Sequence, residues 1–299
     1  MIYTVTFSPS IDYFVKLDDF EVNKINRSKS DFFCPGGKGI NVSLILNNLG
    51  CKSVCLGFVG GFTGKYIEEN LNRKGIETSF IHIEGNSRIN VKINDLKYET
   101  ALDGTNPCLK ESDIDELVNQ LSRLNKGDLV SFNGRFPKIV SQRRIEEIFS
   151  LLNKKEIEFI IDTSSPHLEQ ILKYKPLLIK PNKEELEEVF SEKIDSSKEL
   201  VNNLKELVSR GVKNAICSLD KDGAILVNKD EVIILNSFKG KVIKTVGCGD
   251  SLVGGFIYKY LESKDVKEAF KYGVSAGCAS AFSTSLATRE EIERLYRQL

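Results

Sequence analysis

The feature that most constrains this fold is a regular alternation of strand-like and helix-like segments from about residue 110 onward. The strand-like segments are short and apolar, and amphipathic stretches of helical length separate them. The predicted strands are residues 3–7 and 53–59 near the start, then 129–133, 159–162, 177–179 and 215–219. This order predicts an α/β fold with a mostly parallel central sheet flanked by helices on both faces.

Several polar side chains follow directly after predicted strands. In a parallel sheet, binding sites open at the carboxyl ends of the strands, so these side chains are expected to surround one cleft. They are Asp12, the loop 134–137, Asp162, Asn182, Ser218 and the turn 247–250.

The segment TVGCGDSLVGGF, residues 245–256, is interpreted as a strand end, a glycine turn and a helix start. Val242, Ile243 and Val246 supply the β-branched residues before the turn. Bare N–H groups and the helix dipole both favour an anion there, and Asp250 would bring one carboxylate to its rim. The simpler alternative is an ordinary aspartate N-cap beside two turn glycines.

A second glycine turn, PGGKGIN, occupies residues 35–41 and leads into a predicted helix that Gly50 ends. It is not a nucleotide-binding P-loop, because that motif needs a lysine followed by Ser or Thr after its last glycine. Lys38 and Asn41 at a helix start suit the oxygens of a sugar or a phosphate. The alternative is a flexible turn with a solvated lysine.

Two segments are predicted to leave the core and form a small sheet over its mouth. One is residues 11–34, and the other is a hairpin of strands 80–83 and 88–93 around Gly85-Asn86. Strict alternation puts Arg88, Asn90 and Lys92 on one face of the second strand. These cations would either clamp a phosphorylated substrate or be solvated edge charges.

Composition and charge exclude several functional classes. The chain has 42 basic and 42 acidic residues and a pI near 6.8, which gives no reason to expect nucleic acid or a membrane surface as partner. Seven scattered cysteines form no CxxC pair, and two histidines lack partner motifs. With no signal-like N-terminus, these features predict a cytoplasmic protein.

With both glycine turns placed, the chain resembles the ribokinase family, also called the B-type phosphofructokinases, nearly from end to end. PGGKGIN and TVGCGDSLVGGF carry the resemblance, and SPSIDY, GFVGGFTG, RINVK, LIKPNKEEL and AFSTSLATREE support it. The resemblance implies a ribokinase-like α/β domain spanning 1–299 with a β-sheet lid from about 11–34 and 80–104. It also implies ATP and Mg²⁺, a sugar-phosphate acceptor and a homodimer formed through the lid.

The resemblance also implies roles for the acceptor side of the site. Asp250 would be the general base, and Gly247, Cys248 and Gly249 would form the anion hole for the transferred phosphoryl group. The residues expected to bind the sugar are Asp12, Gly37, Lys38 and Asn41. Those expected to hold the phosphate of the substrate from the lid are Arg88, Lys92 and, as a weaker candidate, Arg27.

On the nucleotide side, the resemblance implies that Lys180 approaches the ATP phosphates. Asn182 and Glu185 form an NxxE pattern, in which Glu185 would act on Mg²⁺ through water. Residues that match a nucleotide loop of the form SLGxDG, or would enclose adenine, are Ser218, Asp222, Gly223 and Ser275.

The chain departs from the family pattern at three places. Cys248 stands where alanine is usual, and its thiol could confer sensitivity to thiol reagents. Asp220 replaces a glycine of the nucleotide loop. NGRFPKI replaces SGSxPxG, so that Arg135 adds a cation and Ile139 stands where glycine is common.

The acceptor and some roles stay open. Arg88 and Lys92 favour an anionic acceptor, with fructose 1-phosphate first and tagatose 6-phosphate or fructose 6-phosphate next. Asp162 and Glu185 are rivals of Asp250 as the base, although neither follows a glycine turn. A non-catalytic sugar-phosphate sensor on the same fold is a remote alternative, and a dehydrogenase would need GxGxxG where this chain has SPSID.

Overall fold

The computed structural model describes residues 1–95, 97–163 and 167–299, and in this part of the chain the strands form two sheets. The larger sheet has nine strands in the order β13-β12-β11-β10-β9-β8-β1-β4-β5. Its strands are parallel except β12 and β13 at one edge. They are β1 (Ile2–Thr6), β4 (Val54–Gly60), β5 (Glu77–Ile83), β8 (Leu129–Asn133), β9 (Glu158–Asp162), β10 (Leu178–Ile179), β11 (Asn214–Ser218), β12 (Ala224–Asn228) and β13 (Val232–Leu235).

Helices cover both faces of the larger sheet. One apolar layer packs helices α1 (Lys38–Asn48), α2 (Gly61–Arg73), α8 (Cys248–Ser263) and α9 (Val266–Ala281) against it. The opposite layer contains α3 (Glu111–Ser122), α4 (Gln142–Lys154), α5 (Leu168–Leu172), α6 (Lys183–Phe190) and α7 (Ser197–Ser209). Helix α10 (Arg289–Tyr296) packs on α9. No helix in the described residues is long and apolar enough to span a membrane.

The order of the strands creates a topological switch point beside β1. From β1 the chain runs outward to β4 and β5, and then returns to build the sheet on the other side of β1 from β8 onward. Neighbouring loops therefore diverge at the carboxyl ends of β1 and β8. Sheets of this kind bind ligands at such a point.

The smaller sheet has four strands in the order β3-β2-β6-β7. They are β2 (Ser10–Lys16), β3 (Ser30–Gly36), β6 (Arg88–Asn94) and β7 (Glu99–Leu102). Their register places Asp12 beside Asn90 and Phe14 beside Lys92, so these residues share one face. The other face carries apolar residues, which include Tyr13, Phe33, Val91 and Leu102.

The predicted hairpin around Gly85-Asn86 is wrong. Residues 80–83 belong to β5, which pairs in parallel with β4 in the larger sheet, whereas Arg88 begins β6 of the smaller sheet. The chain crosses from one sheet to the other at this turn. Two adjacent β-rich runs with a Gly-Asn turn therefore look like a hairpin in the sequence although they never pair.

The strand end predicted before the glycine turn of TVGCGDSLVGGF is also wrong. Residues 236–246 form no strand, and Val242 and Ile243 are exposed. Their β-branched side chains suit an extended backbone, but no neighbouring strand pairs with it. The sequence also predicts a helix at 165–172; residues 165 and 166 lie outside the described residues, and α5 occupies Leu168–Leu172.

Helix α8 packs unusually close to its neighbours because of two glycines. A Cβ on Gly254 would lie 2.7 Å from Ile45 Cγ2 of α1, and one on Gly255 would lie 2.7 Å from the Cβ of Ala276 in α9. Real Cβ atoms do not approach so closely. The glycines after Val253 therefore fix the position of α8, and with it the position of Asp250.

Candidate active site

A cleft of about 1180 Å³ opens at the switch point of the larger sheet. One wall is formed by residues 6–9 at the end of β1, together with Lys38 at the start of α1. The opposite wall is the loop 133–139 after β8. Arg88 and the segment 103–109 contribute the side that faces the smaller sheet. The cleft thus lies between the two sheets. Of the polar strand ends expected to surround one cleft, the loop 134–137 lines it, whereas Asp12, Asp162, Asn182, Ser218 and the turn 247–250 are not among its lining residues.

The glycines of PGGKG are required by close contacts. A Cβ on Gly36 would lie 2.5 Å from the Asp12 carboxylate, and one on Gly39 would lie 2.4 Å from Thr6 Oγ1. Gly37 is the N-cap of α1 with a φ of 124°, a conformation that glycine adopts readily. The motif therefore brings the start of α1 against both β1 and the smaller sheet.

Asp12 is held by a polar network on the cleft-facing side of the smaller sheet. Its Oδ1 accepts hydrogen bonds from Ser10 Oγ at 2.9 Å and from Asn90 Nδ2 at 2.8 Å. The Oδ1 of Asn90 in turn accepts from the Gly104 N–H at 3.1 Å. Asp12 therefore lies on β2, rather than in the loop that follows β1.

Asp250 lies in the first turn of α8, where it is 6% exposed. Gly247, with a φ of 82°, is the N-cap, so the simpler alternative of an ordinary aspartate N-cap does not hold. Asn41 Nδ2 donates a hydrogen bond of 2.7 Å to Asp250 Oδ2, which joins the two glycine turns. Burial, together with repulsion from Asp162, raises the pKa of Asp250 to about 6.

The start of α8 offers N–H groups in the way that anion sites do. The first N–H groups of a helix have no intrahelical acceptor, and the dipole adds positive potential there. The Cys248 N–H donates to the Thr245 carbonyl at 3.3 Å, a long hydrogen bond within the turn. A Cβ on Gly249 would lie 3.3 Å from Lys180 Nζ, so this ammonium approaches the turn.

Two lysines neutralise a fully buried carboxylate beside Asp250. Asp162 Oδ1 lies 3.2 Å from Lys180 Nζ and 3.5 Å from Lys38 Nζ. Burial alone would raise the pKa of the Asp162 carboxyl, but the two ammonium groups outweigh it and hold that pKa below its ordinary value. The attraction of Asp162 correspondingly raises the pKa of Lys38, with a smaller contribution from Glu185.

Asn182 and Glu185, the NxxE pair, stabilise the start of a helix. Asn182 Oδ1 accepts from the Glu185 N–H at 2.7 Å, and Glu185 Oε2 accepts from the Asn182 N–H at 3.0 Å, which is a capping box at the start of α6. Glu185 Oε1 lies 3.7 Å from Lys38 Nζ. One carboxylate oxygen therefore caps the helix, and the other faces the lysine pair.

The predicted nucleotide residues divide into two groups. Ser218 ends β11 next to Asn182, and Asp222 and Gly223 follow it in a short 3-10 turn. Gly223 has a φ of 101°, and a Cβ there would lie 2.0 Å from the Leu235 carbonyl oxygen. Ser275, by contrast, is fully buried in α9, and its hydroxyl donates to the Lys271 carbonyl at 2.9 Å, so it does not face the cleft.

Two of the departures from the family pattern now have a physical account. Asp220 adopts a φ of 49°, a left-handed conformation that aspartate tolerates better than most residues, so it can stand where glycine is usual. Burial raises the pKa of the Cys248 thiol to about 11. The neutral thiol therefore predominates at pH 7, which argues against high reactivity of Cys248.

The three cations expected to hold a substrate phosphate have different environments. Arg88 lines the cleft, and its buried Nε has no hydrogen-bond partner among the described residues. Lys92 Nζ is paired with Asp103 Oδ1 at 2.9 Å. Arg27 is exposed in the loop between β2 and β3. Arg88 is therefore the cation of this group that is poised for a ligand.

Sequence reasoning missed two features of the site. Asn90 was placed on the correct face, but its bond to Asp12 depends on β6 lying parallel to β2, which local patterning does not reveal. The pairing of Asp162 with Lys38 and Lys180 joins three distant segments. The available signal for that pairing was the opposite charge of Asp162 and the two lysines, of which Lys180 follows the neighbouring strand β10.

Comparison with known proteins identifies one family. Residues 5–292 match the model described as pfkB family carbohydrate kinase. The chain is 40% identical over 295 residues to the 1-phosphofructokinase of Bacillus subtilis, with 99% of this chain and 97% of that protein covered. It is 34% identical over 300 residues to the D-tagatose-1-phosphate kinase of Bacillus licheniformis, with coverage of 100% and 98%.

Solved structures show the same architecture. Phosphofructokinase-2 from Escherichia coli in complex with fructose-6-phosphate superposes with a TM-score of 0.92 at 25% identity and covers 100% of this chain and 98% of that one. Ribokinase from Thermotoga maritima superposes with a TM-score of 0.77 at 24% identity and coverage of 99% of both chains. The predicted ribokinase-like α/β fold, with helices on both faces of the main sheet and a small second sheet, is confirmed.

Proposed function

The chain belongs to the pfkB family of carbohydrate kinases and is an ATP-dependent sugar-phosphate kinase; we propose that its acceptor is fructose 1-phosphate and its product fructose 1,6-bisphosphate. The observation that carries this choice is Arg88, whose buried Nε lacks a partner on the wall of the cleft. A guanidinium in that setting favours an acceptor that already bears a phosphate. The hydroxyl groups of a neutral sugar can accept a hydrogen bond from this group, but they bring no negative charge to offset the guanidinium.

Asp250 is the proposed general base. As the acceptor hydroxyl oxygen bonds to the γ-phosphorus and the bond to the β-phosphate oxygen breaks, the hydroxyl proton passes to the Asp250 carboxylate. Its pKa of about 6 makes it a better proton acceptor than an ordinary aspartate, yet it is still ionised at pH 7.5. Two lysines hold the pKa of Asp162 below its ordinary value, which makes it a weaker base, and Glu185 is tied to the start of α6 through Oε2, so both rivals suit the role less well.

The transferred phosphoryl group would be stabilised from two sides. The N–H groups at Gly247, Cys248 and Gly249 would face its oxygens, and Lys180 would add positive charge beside them. Donors fixed before the reaction stabilise the developing charge without reorganising, and removal of one typically costs about 10²–10³ in rate. Asp12, Gly37, Lys38 and Asn41 would orient the sugar, with Ser218, Asp222 and Gly223 on the nucleotide side.

Mg²⁺ would enter with the nucleotide. No group of three or more metal-binding side chains occurs in the described residues. Mg²⁺ commonly keeps several waters and binds through substrate phosphates, which needs few protein ligands. Asp162 Oδ2, a buried oxygen without a partner among those residues, and Glu185 Oε1 fit water-mediated contacts. The ion would neutralise charge on the phosphates.

The smaller sheet is the proposed lid, and its apolar outer face is the proposed site of homodimerisation. Phe33 and Leu102 on that face are 49% and 59% exposed, which is costly for a monomer in water. We further propose a cytoplasmic location, since all seven cysteines, each in the described part of the chain, carry free thiols.

The acceptor is tested by coupled measurement of ADP release with fructose 1-phosphate, fructose 6-phosphate, tagatose 1-phosphate, tagatose 6-phosphate and fructose. We expect the highest kcat/KM with fructose 1-phosphate. D-tagatose 1-phosphate is the second candidate, because a relative named for it matches the whole chain. A higher kcat/KM with any other sugar would refute the assignment, and binding without ADP release would indicate a sensor.

A further inference from the structure

The cleft contains cations that have no ionic partner within the protein. Lys38, Lys180 and Lys92 lie within 4 Å of carboxylates. Arg135 and Arg88 line the cleft, and neither forms a salt bridge with any residue that the structure describes. In a chain with balanced charge, unpaired arginines on one cleft concentrate positive potential there. They are therefore available to an anionic ligand.

The backbone around Arg135 is anchored on both sides. The Gly134 N–H donates to the Asp162 carbonyl at 2.9 Å, and Gly134 adopts a φ of 88° in the turn after β8. Phe136 is buried, and its ring centroid lies 4.7 Å from that of Phe7 beyond the end of β1. Arg135 is thus presented from a fixed position, although its own side chain is exposed. Fixed anchors reduce the entropy lost when such a side chain binds a ligand.

The position in the sheet favours the acceptor phosphate over the nucleotide. Arg135 follows β8, which is adjacent to β1 and hence to the turn that carries Lys38 and Asn41. The nucleotide loop follows β11, three strands away from β8, or about 14 Å at the usual spacing between strands. The nearer anion is the phosphate that the sugar carries.

We propose that Arg135 is a specificity-determining residue that binds the phosphate of the acceptor from the core wall of the cleft, opposite Arg88 on the smaller sheet. This proposal rests on the proposed sugar-phosphate acceptor and names the partner of Arg88 in its recognition. A phosphate dianion can accept hydrogen bonds from both guanidinium groups and so connect the core to the smaller sheet. An acceptor without a phosphate gains neither contact.

The test compares Arg135→Gln with Arg135→Lys and with Lys138→Gln, a matched change of a second exposed, unpaired cation at the rim of the same cleft. For Arg135→Gln we expect a KM for fructose 1-phosphate about tenfold higher, with kcat and the KM for ATP within about twofold of wild type. A contact remote from the reacting hydroxyl contributes equally to ground and transition states, so it changes KM alone. Arg135→Lys should recover part of the loss.

Lys138→Gln should change the KM for the sugar phosphate by less than about twofold. An equal effect of both glutamine variants would overturn the proposal, because it would indicate net charge alone. So would an unchanged KM for the sugar phosphate, or a raised KM for ATP, in Arg135→Gln. Calorimetric titration of fructose 1-phosphate without ATP gives a second readout, in which Arg135→Gln should weaken binding to the same extent.

Failure of the acceptor assignment gives a different pattern. If the wild type prefers another phosphorylated sugar, the same variants are measured with that sugar, and a selective rise in its KM still supports Arg135. If the wild type prefers an unphosphorylated sugar, both proposals fall. The thermal unfolding of each variant is also measured. An unfolding temperature equal to that of the wild type shows that the exposed substitution leaves the fold intact.

Discussion

At the scale of single residues, Asp250 combines two opposing properties. Its burial, its hydrogen bond to Asn41 and the nearby Asp162 place a carboxylate where an acceptor hydroxyl is expected. The same surroundings disfavour its ionised form, and its pKa rises to about 6. The surroundings that would tune Asp250 as a base thus cost the folded protein stability at neutral pH.

The pH dependence of the reaction follows from this value. The base is active only when deprotonated, so kcat/KM should be constant above pH 7 and fall about tenfold per pH unit below about pH 6. The measurement is a pH–rate profile at saturating ATP. A profile that stays flat down to pH 4.5 would exclude Asp250 as the titrating base.

Asp250→Asn should lose activity and gain stability in the same molecule. We expect turnover to fall by about 10²–10⁴ while ATP binding is kept. Because the folded pKa is raised, the stability that protonation gives is present below about pH 4 and is lost as pH rises through about 6. Above pH 6 the variant should therefore be more stable than wild type, by on the order of 2 kcal/mol.

Urea unfolding at pH 4.5 and 7.5 measures the difference between the two proteins. The advantage of Asp250→Asn should be larger at pH 7.5. If wild type and Asp250→Asn were equally stable at both pH values, the ionised carboxylate would have to be well solvated, which would contradict its burial.

At the scale of elements, α8 is positioned by glycines that helix propensity disfavours. Gly255→Ala gains about 1 kcal/mol of propensity, but its Cβ would lie 2.7 Å from the Ala276 Cβ and 3.1 Å from the Tyr272 carbonyl. We expect a net loss of about 1–3 kcal/mol in urea unfolding. Gly277→Ala, with its nearest contact at 3.1 Å from the Cys248 carbonyl, should lose less. The reverse order would refute the packing argument.

The elements that sequence predicts well are those fixed by local pattern. The alternation of apolar runs places β8 and β9, because burial on two faces leaves a continuous apolar signal. Pairing is different: β5 and β6 have the composition of a hairpin but belong to separate sheets. Likewise the glycines of residues 36–39 marked a site, whereas the contact of Asp12 with Gly36 depends on strand register.

At the scale of the whole molecule, the smaller sheet has one polar and one apolar face. Asp12, Asn90 and Arg88 face the cleft, and the apolar outer face includes Phe33 and Leu102. One sheet would thus close the site on one side and join two subunits on the other. Substrate affinity and assembly are therefore expected to depend on each other.

Leu102→Asp should weaken the proposed dimer. We expect wild type to elute with a mass of about twice 33.5 kDa by light scattering, and the variant to shift toward 33.5 kDa with a higher KM for the sugar phosphate. The matched control is Ile234→Asp, since Ile234 is 58% exposed at the far edge of the larger sheet. A monomeric wild type, or dissociation by the control alone, would exclude this face as the interface.

The two glycine turns meet in the folded protein although they lie far apart along the chain, and this has a consequence for the order in which the site is synthesised. Lys38, Asn41 and Arg88 leave the ribosome early, whereas Asp250 and the proposed anion-binding turn of α8 follow after most of the sheet has been synthesised. Domains fold as units, with N-terminal parts available first. A growing chain therefore acquires the residues proposed to hold a sugar phosphate well before it acquires the proposed base, and we expect transfer activity only once α8 packs against α1.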